Sequence, residues 1–142
     1  EASRVTLMDR PRPPQTGRQD GEPEVVNAET LRDLEELGSS PAFMDKLIGV
    51  FTADNVTLLG KIESSLGARN VAEFRSHLHA MKGSAASMGA ERLTILCRDV
   101  GRLSDAEVKL QITPLLNSLR EELGRTREAL ERYLQERQKS AG

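Results

Sequence analysis

Apolar residues recur every three to four positions from residue 27 onward, between short polar connections, which is typical of amphipathic helices. Asn27 is placed to cap a first helix that runs to Leu37, and Gly38 is expected to end it in the left-handed conformation. Ser40 before Pro41 predicts the start of a second helix that continues to about residue 66. The buried positions expected on this helix are Phe43, Leu47, Val50, Phe51, Leu58 and Ile62.

A third helix is predicted between Asn70, which has capping-box spacing to Glu73, and Gly89. Advancing about 100° per residue places five of its side chains in one core stripe. The members of this stripe are Phe74, Leu78, Met81, Ala85 and Met88. A fourth helix is expected from Ala90, with apolar residues at helical spacing as far as residue 103.

Ser104 and Glu107 repeat the capping-box pattern and predict a short helix that Pro114 ends or kinks. Thr113 is then expected to cap a long last helix. The apolar face of that helix carries Leu116, Leu119, Leu123, Leu130 and Tyr133. Because short connections favour antiparallel neighbours, the fold class is predicted to be all-α, an up-down four-helix bundle over residues 41 to 135 that helix 28–37 closes at one end.

Composition supports a single helical domain in a chain of 142 residues, because only 3% of the residues are aromatic and no Trp is present. Residues 1–26 contain four of the six prolines and are expected to form a flexible linker or tail. The bundle is assigned to residues 27–138, and residues 139–142 are expected to be disordered. A chain that begins with Glu1 is expected to be a piece of a longer protein or a processed product.

Charge and motifs exclude several classes of function. A net charge of −2 gives no overall basic field for nucleic acid or an anionic membrane, and no stretch is apolar enough to span a bilayer. A single cysteine, Cys97, cannot form an intramolecular disulfide and is expected to pack in the core, so a cytoplasmic location is expected. Walker, HExxH and GxSxG motifs are absent, so no ATP site is predicted.

The candidate chemistry lies on the third helix. His77 is about 60° from the centre of the core stripe, whereas His79 is about 140° away and is expected to be exposed. Residues near His79 on the wheel are small or cationic: Ala72, Arg75, Lys82, Gly83 and Ala86. An exposed imidazole is substantially neutral at pH 7 and offers a nitrogen nucleophile. Gly83 costs the helix about 1 kcal/mol relative to alanine, which suggests that a partner needs steric clearance there.

At these positions the sequence resembles the histidine-containing phosphotransfer (HPt) family. The residues that carry the resemblance are His79-Ala80-Met81-Lys82-Gly83-Ser84 and Gly89-Ala90-Glu91-Arg92-Leu93. The resemblance implies a phosphocarrier without its own catalytic machinery, in which His79 takes a phosphoryl group from a receiver-domain aspartate and passes it to another receiver. It also implies that Lys82 and Gly83 assist, while Ser84 is expected on the core side of the helix without a catalytic role.

The partners implied by the resemblance are response-regulator receiver domains, which supply the aspartate and Mg²⁺, so no cofactor is expected in this domain. The docking residues are expected to be Ala72, Arg75, Ser76 and Ala86. The domain is expected to be monomeric, without direct membrane contact. Family members often form the C-terminal domain of hybrid sensor kinases, although a free-standing carrier is also compatible with the sequence.

The sequence alone leaves two alternative functions of other classes open. The long last helix and its apolar stripe also fit a helical adaptor or dimerisation module that works without phosphate. Metal-dependent hydrolysis would need bound zinc or iron. His77 and His79 do not form a convincing chelating pair, because residues at i and i+2 do not face one another on a helix.

Overall fold

The computed structural model describes residues 22–141, with side chains through residue 139, and the regular secondary structure in this range is helical. Most of the predicted linker, residues 1–21, lies outside the described range. The helices are α1 Ala28–Leu37, α2 Phe43–Gly67, α3 Val71–Ser87, α4 Glu91–Gly101, α5 Asp105–Leu110 and α6 Ile112–Ala141. Helix α2 packs against α3 and α6, and α4 packs against the same two helices, so these four form the predicted bundle.

Side-chain caps begin three of the helices as predicted. The Oδ1 atom of Asn27 accepts hydrogen bonds from two backbone N–H groups of α1, and the side chain of Asn70 accepts one from the first turn of α3. Ser104 and Glu107 form a reciprocal capping box at α5. These bonds satisfy N–H groups that have no partner inside the helix, so they fix where each helix starts.

The connection between α1 and α2 differs from the prediction. Gly38 is extended, with φ −80° and ψ 151°, so the expected left-handed conformation is wrong. A glycine is needed there for space, because a Cβ atom would lie 2.3 Å from a ring carbon of Phe43. The predicted start of α2 at Pro41 is also wrong: the backbone N–H of Phe43 donates to the Ser40 carbonyl at 3.1 Å, and Ser40 and Pro41 form a turn before the helix.

The last helix begins earlier and ends later than expected. Thr113 is not its cap, because α6 starts at Ile112 and Pro114 is its third residue. Proline is tolerated in the first turn because the N–H that it lacks would have no acceptor within the helix. The helix continues to Ala141, where a disordered C-terminus was expected from residue 139.

The core stripe of α3 is confirmed, since Phe74, Leu78, Met81, Ala85 and Met88 are each no more than 4% exposed. On α2 one predicted core residue is wrong. Val50 is 53% exposed, whereas Met44 and Ile48 are buried with Phe51 against α1 and α6. Val50 directly precedes Phe51, so it is rotated by about 100° out of that buried face.

Helix α1 closes one end of the bundle, as predicted. Leu31 of α1 is buried with residues of α2 and with Leu130 of α6, and Tyr133 packs against this cluster. The carboxylate of Glu35 also accepts hydrogen bonds from Tyr133 Oη and Arg137 Nε. The apolar stripe at the end of α6 is therefore covered by other helices of the same chain.

The last residues of the predicted linker contact the bundle. The backbone N–H of Glu24 donates to the Glu91 carboxylate at 2.9 Å, and the carbonyl of Glu24 accepts from the backbone of Arg92 at 3.2 Å. Val26 packs against the cluster beneath α1. Among the described helices, none combines the length and apolar character that a membrane span requires.

Candidate functional site

The two histidines of α3 lie in different surroundings, as the helical wheel predicts. His79 is exposed and lines a groove between α3 and α4, whereas His77 is half-buried and lines a groove between α2 and α3. One turn of helix therefore presents one imidazole to solvent and turns the other toward a neighbouring helix. The ring of His79 is therefore the more accessible of the two to a second protein.

The groove beside His79 has a volume of about 370 Å³ and is lined by four cationic side chains, two of which form ion pairs with carboxylates. Helix α3 contributes two cations, and the C-terminal part of α4 contributes two more. The lining residues are Arg75, Leu78, His79, Lys82, Cys97, Arg98, Gly101 and Arg102. This concentration of positive charge favours an anion at the imidazole, although the net charge of the chain is −2.

Arg75 joins α3 to the end of α4. Its guanidinium donates to the carbonyl of Gly101 at 3.1 Å, to the carbonyl of Leu103 at 2.7 Å and to the carboxylate of Asp105 at 2.7 Å. The carbonyl of Gly101 belongs to the last turn of α4, where a helix presents unpaired acceptors and partial negative charge, and the carbonyl of Leu103 belongs to the connection between α4 and α5. Arg75 thus satisfies these acceptors and holds α4 and α5 against α3.

The other three cations of the groove are held differently. Arg98 forms an ion pair with its neighbour Asp99 at 3.1 Å. Lys82 and Arg102 make no side-chain hydrogen bond or ion pair within residues 22–139. These two side chains are therefore available to an anion placed at His79.

Cys97 is buried where the groove meets the core. Burial raises the pKa of its thiol to about 12, and the nearby Lys82 charge opposes that shift only in part. The thiol is therefore protonated at neutral pH and is a poor nucleophile. Cys97 packs with the apolar residues of α3 and α4, as the sequence predicts.

Several residues that lie near His79 on the helical wheel of α3 are small and exposed. Ala72, Ser76, Gly83 and Ala86 are all exposed. A Cβ atom on Gly83 would meet no other atom within 4 Å, so the space above the glycine is open. The predicted docking residues Ala72, Ser76 and Ala86 are thus exposed on the helix that carries His79, as Gly83 is. The fourth predicted docking residue, Arg75, bonds to the end of α4 and to α5.

Ser84 does not face the groove. Its Oγ accepts a hydrogen bond of 2.9 Å from Nδ2 of the buried Asn55 on α2, which agrees with the core-side position predicted for this residue. For metal-dependent hydrolysis, no three His, Cys, Asp or Glu side chains among the described residues are grouped to hold an ion.

Sequence reasoning missed Arg98 and Arg102 as residues of this site. Their i, i+4 spacing places both on one face of α4, which is visible in the sequence. Their proximity to His79 depends on how α4 packs against α3, which a pattern within one helix does not report.

Residues 46–139 match the Hpt domain family, and because this is more than half of the chain, the chain belongs to that family. It is 29% identical over 114 residues to histidine-containing phosphotransfer protein 4 of Arabidopsis thaliana, a match that covers 75% of this chain and 87% of the relative. The fold class and the family predicted from the sequence are both confirmed.

Two solved structures are similar to the bundle. Histidine-containing phosphotransfer protein B of Pseudomonas aeruginosa superposes with a TM-score of 0.68 at 23% identity, covering 79% of this chain and 96% of that one. Histidine-containing phosphotransfer protein MtHPt2 of Medicago truncatula gives a TM-score of 0.65 at 27% identity, covering 83% and 84%. The chain is thus a phosphotransfer component of a two-component phosphorelay, as predicted, and a phosphocarrier of this family is not itself a kinase.

Proposed function

We propose that His79 is the residue that carries the phosphoryl group, and that a receiver-domain aspartyl phosphate is its donor. The observation that supports this assignment is the position of His79, which is exposed beside a cationic groove, while His77 is half-buried on another side of α3. Phosphoryl transfer depends mainly on alignment and on neutralising the phosphoryl oxygens, so a single exposed imidazole on a rigid helix is sufficient on the acceptor side.

The transfer step follows from the chemistry of the imidazole. The ring nitrogen without a proton attacks phosphorus, and a P–N bond forms while the bond from phosphorus to the aspartyl oxygen breaks. The electron pair of that bond leaves with the aspartate carboxylate, and the other ring nitrogen keeps its proton. The same step in reverse delivers the phosphoryl group to the aspartate of a second receiver.

Lys82 and Gly83 assist this step in different ways. Lys82 lies one turn from His79 with its ammonium unpaired among the described residues, so it can neutralise a phosphoryl oxygen. Gly83 leaves open space through which the backbone of a receiver reaches the ring. The receiver docks on the small residues of this surface, Ala72, Ser76 and Ala86, with Arg75 at its α4 edge.

The receiver also supplies the catalytic aspartate and Mg²⁺, which neutralises charge on the phosphoryl group during transfer. We propose no ATP site and no cofactor for the domain itself, because its sequence lacks a Walker motif. Phosphate acceptance then depends on a phosphoryl donor from outside the domain, and the direction of transfer is set by which receiver is phosphorylated.

The adaptor alternative depended on a free apolar stripe along the last helix. Leu130 is fully buried and Tyr133 bonds to Glu35, so α1 and α2 already cover that stripe. We therefore propose a monomeric carrier. Light scattering during gel filtration should give the mass of one chain, and a stable dimer would contradict this part of the proposal.

The test uses a receiver domain phosphorylated with labelled phosphate and mixed with the wild type, His79→Gln or His77→Gln. The wild type should acquire an acid-labile, base-stable label, and His79→Gln should acquire none. His77→Gln is the matched control, because it removes the neighbouring imidazole, and it should be labelled within about twofold of the wild type. Labelling retained in His79→Gln would overturn the assignment.

A further inference from the structure

The end of α4 places a second unpaired cation in the groove of His79. Arg102 is the residue that ends α4, and its backbone N–H donates to the carbonyls of Asp99 and Val100. Its side chain lines the same groove as His79 and Lys82 and bonds to no described residue. Two unpaired cations from two different helices thus lie beside one exposed imidazole.

We propose that Arg102 binds the phosphoryl group carried by His79, together with Lys82, and so forms a two-helix clamp on the phosphohistidine. The inference rests on the proposed role of His79 and adds a residue outside the motif of α3. A guanidinium presents paired N–H donors that match two phosphoryl oxygens, whereas an ammonium acts as a single point charge. The groove of about 370 Å³ has room for a phosphoryl group.

The contacts of Arg75 explain how Arg102 is held in place. Arg75 donates to the carbonyls of Gly101 and Leu103, which are the residues on either side of Arg102. Because Arg75 belongs to the same helix as His79, this contact fixes the backbone of Arg102 relative to the imidazole. Arg75 is thus a positioning residue, and Arg102 is the residue that meets the anion.

The electrostatics of the helix end require such cations. The C-terminus of α4, whose residue Gly101 lines the groove, carries partial negative charge on its carbonyls, and this charge disfavours a phosphoryl group nearby. Arg75 bonds to the carbonyl of Gly101 at this helix end and to that of Leu103 just beyond it, and Arg102 adds a positive charge that forms no ion pair with a carboxylate of the described residues. Arg102 forms no bond with phosphorus. It stabilises the oxygens while the P–N bond forms and the bond to the leaving group breaks.

The test compares Arg102→Gln and Arg102→Lys with a matched control, Arg127→Gln. Arg127 is an exposed arginine of α6 that likewise bonds to no described residue. The phosphoryl donor is phosphoramidate, a small molecule that needs no docking surface, in parallel with a phosphorylated receiver. Circular dichroism should show the same helical content for all variants, because Arg102 makes no contact that the fold needs.

With phosphoramidate, Arg102→Gln should label His79 roughly tenfold more slowly than the wild type, which is the effect of losing one charge-assisted bond. The labelling rate of Arg102→Lys should lie within about threefold of the wild-type rate, and Arg127→Gln should be labelled at the wild-type rate. A second readout is the pH titration of the ³¹P resonance of the phosphorylated protein. A nearby cation favours the dianion, so the wild type should titrate at lower pH than Arg102→Gln.

The results that would contradict the role of Arg102 differ from those that would contradict the role of His79. Wild-type rates and an unchanged ³¹P titration in Arg102→Gln would overturn the role of Arg102 while leaving His79 as the carrier. The role of Arg102 would also be overturned if Arg102→Gln were labelled slowly by the receiver but at the wild-type rate by phosphoramidate. Arg102 would then serve only to dock the receiver. Wild-type protein that is not labelled at His79 by either donor would instead refute the proposed function.

Discussion

Asn55 of α2 donates a 2.9 Å hydrogen bond from Nδ2 to Oγ of Ser84 on α3, so the serine of the HPt motif serves helix packing. Asn55 is fully buried, and its Nδ2 also donates to the carbonyl of Phe51 at 2.9 Å. The residues of the motif around His79 therefore lie in two different surroundings. Lys82 and Gly83 lie beside the imidazole, while Ser84 holds α3 against α2.

Ser84→Ala should lower the free energy of unfolding by about 1 kcal/mol, because it deprives buried Asn55 of one hydrogen-bond acceptor. Labelling of His79 by a phosphorylated receiver should stay within about twofold of the wild type. Urea denaturation and the labelling assay measure the two effects. A variant with normal stability and impaired labelling would contradict the structural role of Ser84.

Gly83→Ala should separate stability from function. A Cβ atom fits without contact, so alanine should stabilise the helix by about 0.5–1 kcal/mol. Transfer from a receiver should become several-fold slower, because the methyl group occupies the space that the partner approaches. Gly124→Ala on α6 is the matched control, since a Cβ atom there also meets nothing within 4 Å. It should raise stability and leave transfer unchanged; equal transfer in both variants would argue against steric clearance at Gly83.

The contacts of Glu35 should make stability depend on pH in the acidic range. The hydrogen bond from Tyr133 lowers the pKa of the Glu35 carboxyl below its ordinary 4.5; burial opposes this shift, and Arg137 adds to it. The ionised Glu35 carboxylate therefore contributes its full stabilisation of the folded protein above pH 4.5. This stabilisation is lost as the pH falls through the lowered pKa that Glu35 has in the folded state. Tyr133→Phe should cost about 1–2 kcal/mol at pH 7 and less at pH 3, measured by urea denaturation. A cost that is the same at both pH values would contradict this coupling.

The hydroxyl of Tyr133 should make the stability of the protein depend on pH in the alkaline range. Burial and the neighbouring Glu35 carboxylate raise its pKa from 10.0 to about 12. A raised pKa adds stability that is complete below pH 10 and is lost as pH rises through about 12. Thermal unfolding of the wild type should therefore lose more stability between pH 9 and pH 11.5 than that of Tyr133→Phe. Parallel losses in the two proteins would contradict the assignment.

Features that depend on the period of one helix were predictable from the sequence. The core stripe from Phe74 to Met88 and the exposure of His79 both follow from 3.6 residues per turn. The capping residue Asn27 was predictable for a similar reason, because a cap bonds to the backbone of the next turn.

Features that depend on neighbouring elements were not predictable in this way. Val50 was expected in the core, but α1 and α6 cover the face of α2 that holds Phe51. Gly38 was expected to be a glycine because of a left-handed backbone, but the reason for the glycine is that the ring of Phe43 leaves no space for a Cβ atom. Arg102 joins the site only because α4 packs against α3, an arrangement that residues far apart in the sequence determine together.

The most direct test of the central claim is to locate the phosphoryl group on the protein. Brief phosphorylation by a receiver, digestion at neutral pH or above, and electron-transfer fragmentation would identify the modified residue in the peptide that contains both His77 and His79. We predict phosphate on His79 alone. Phosphate on His77, or on any residue other than His79, would contradict the account.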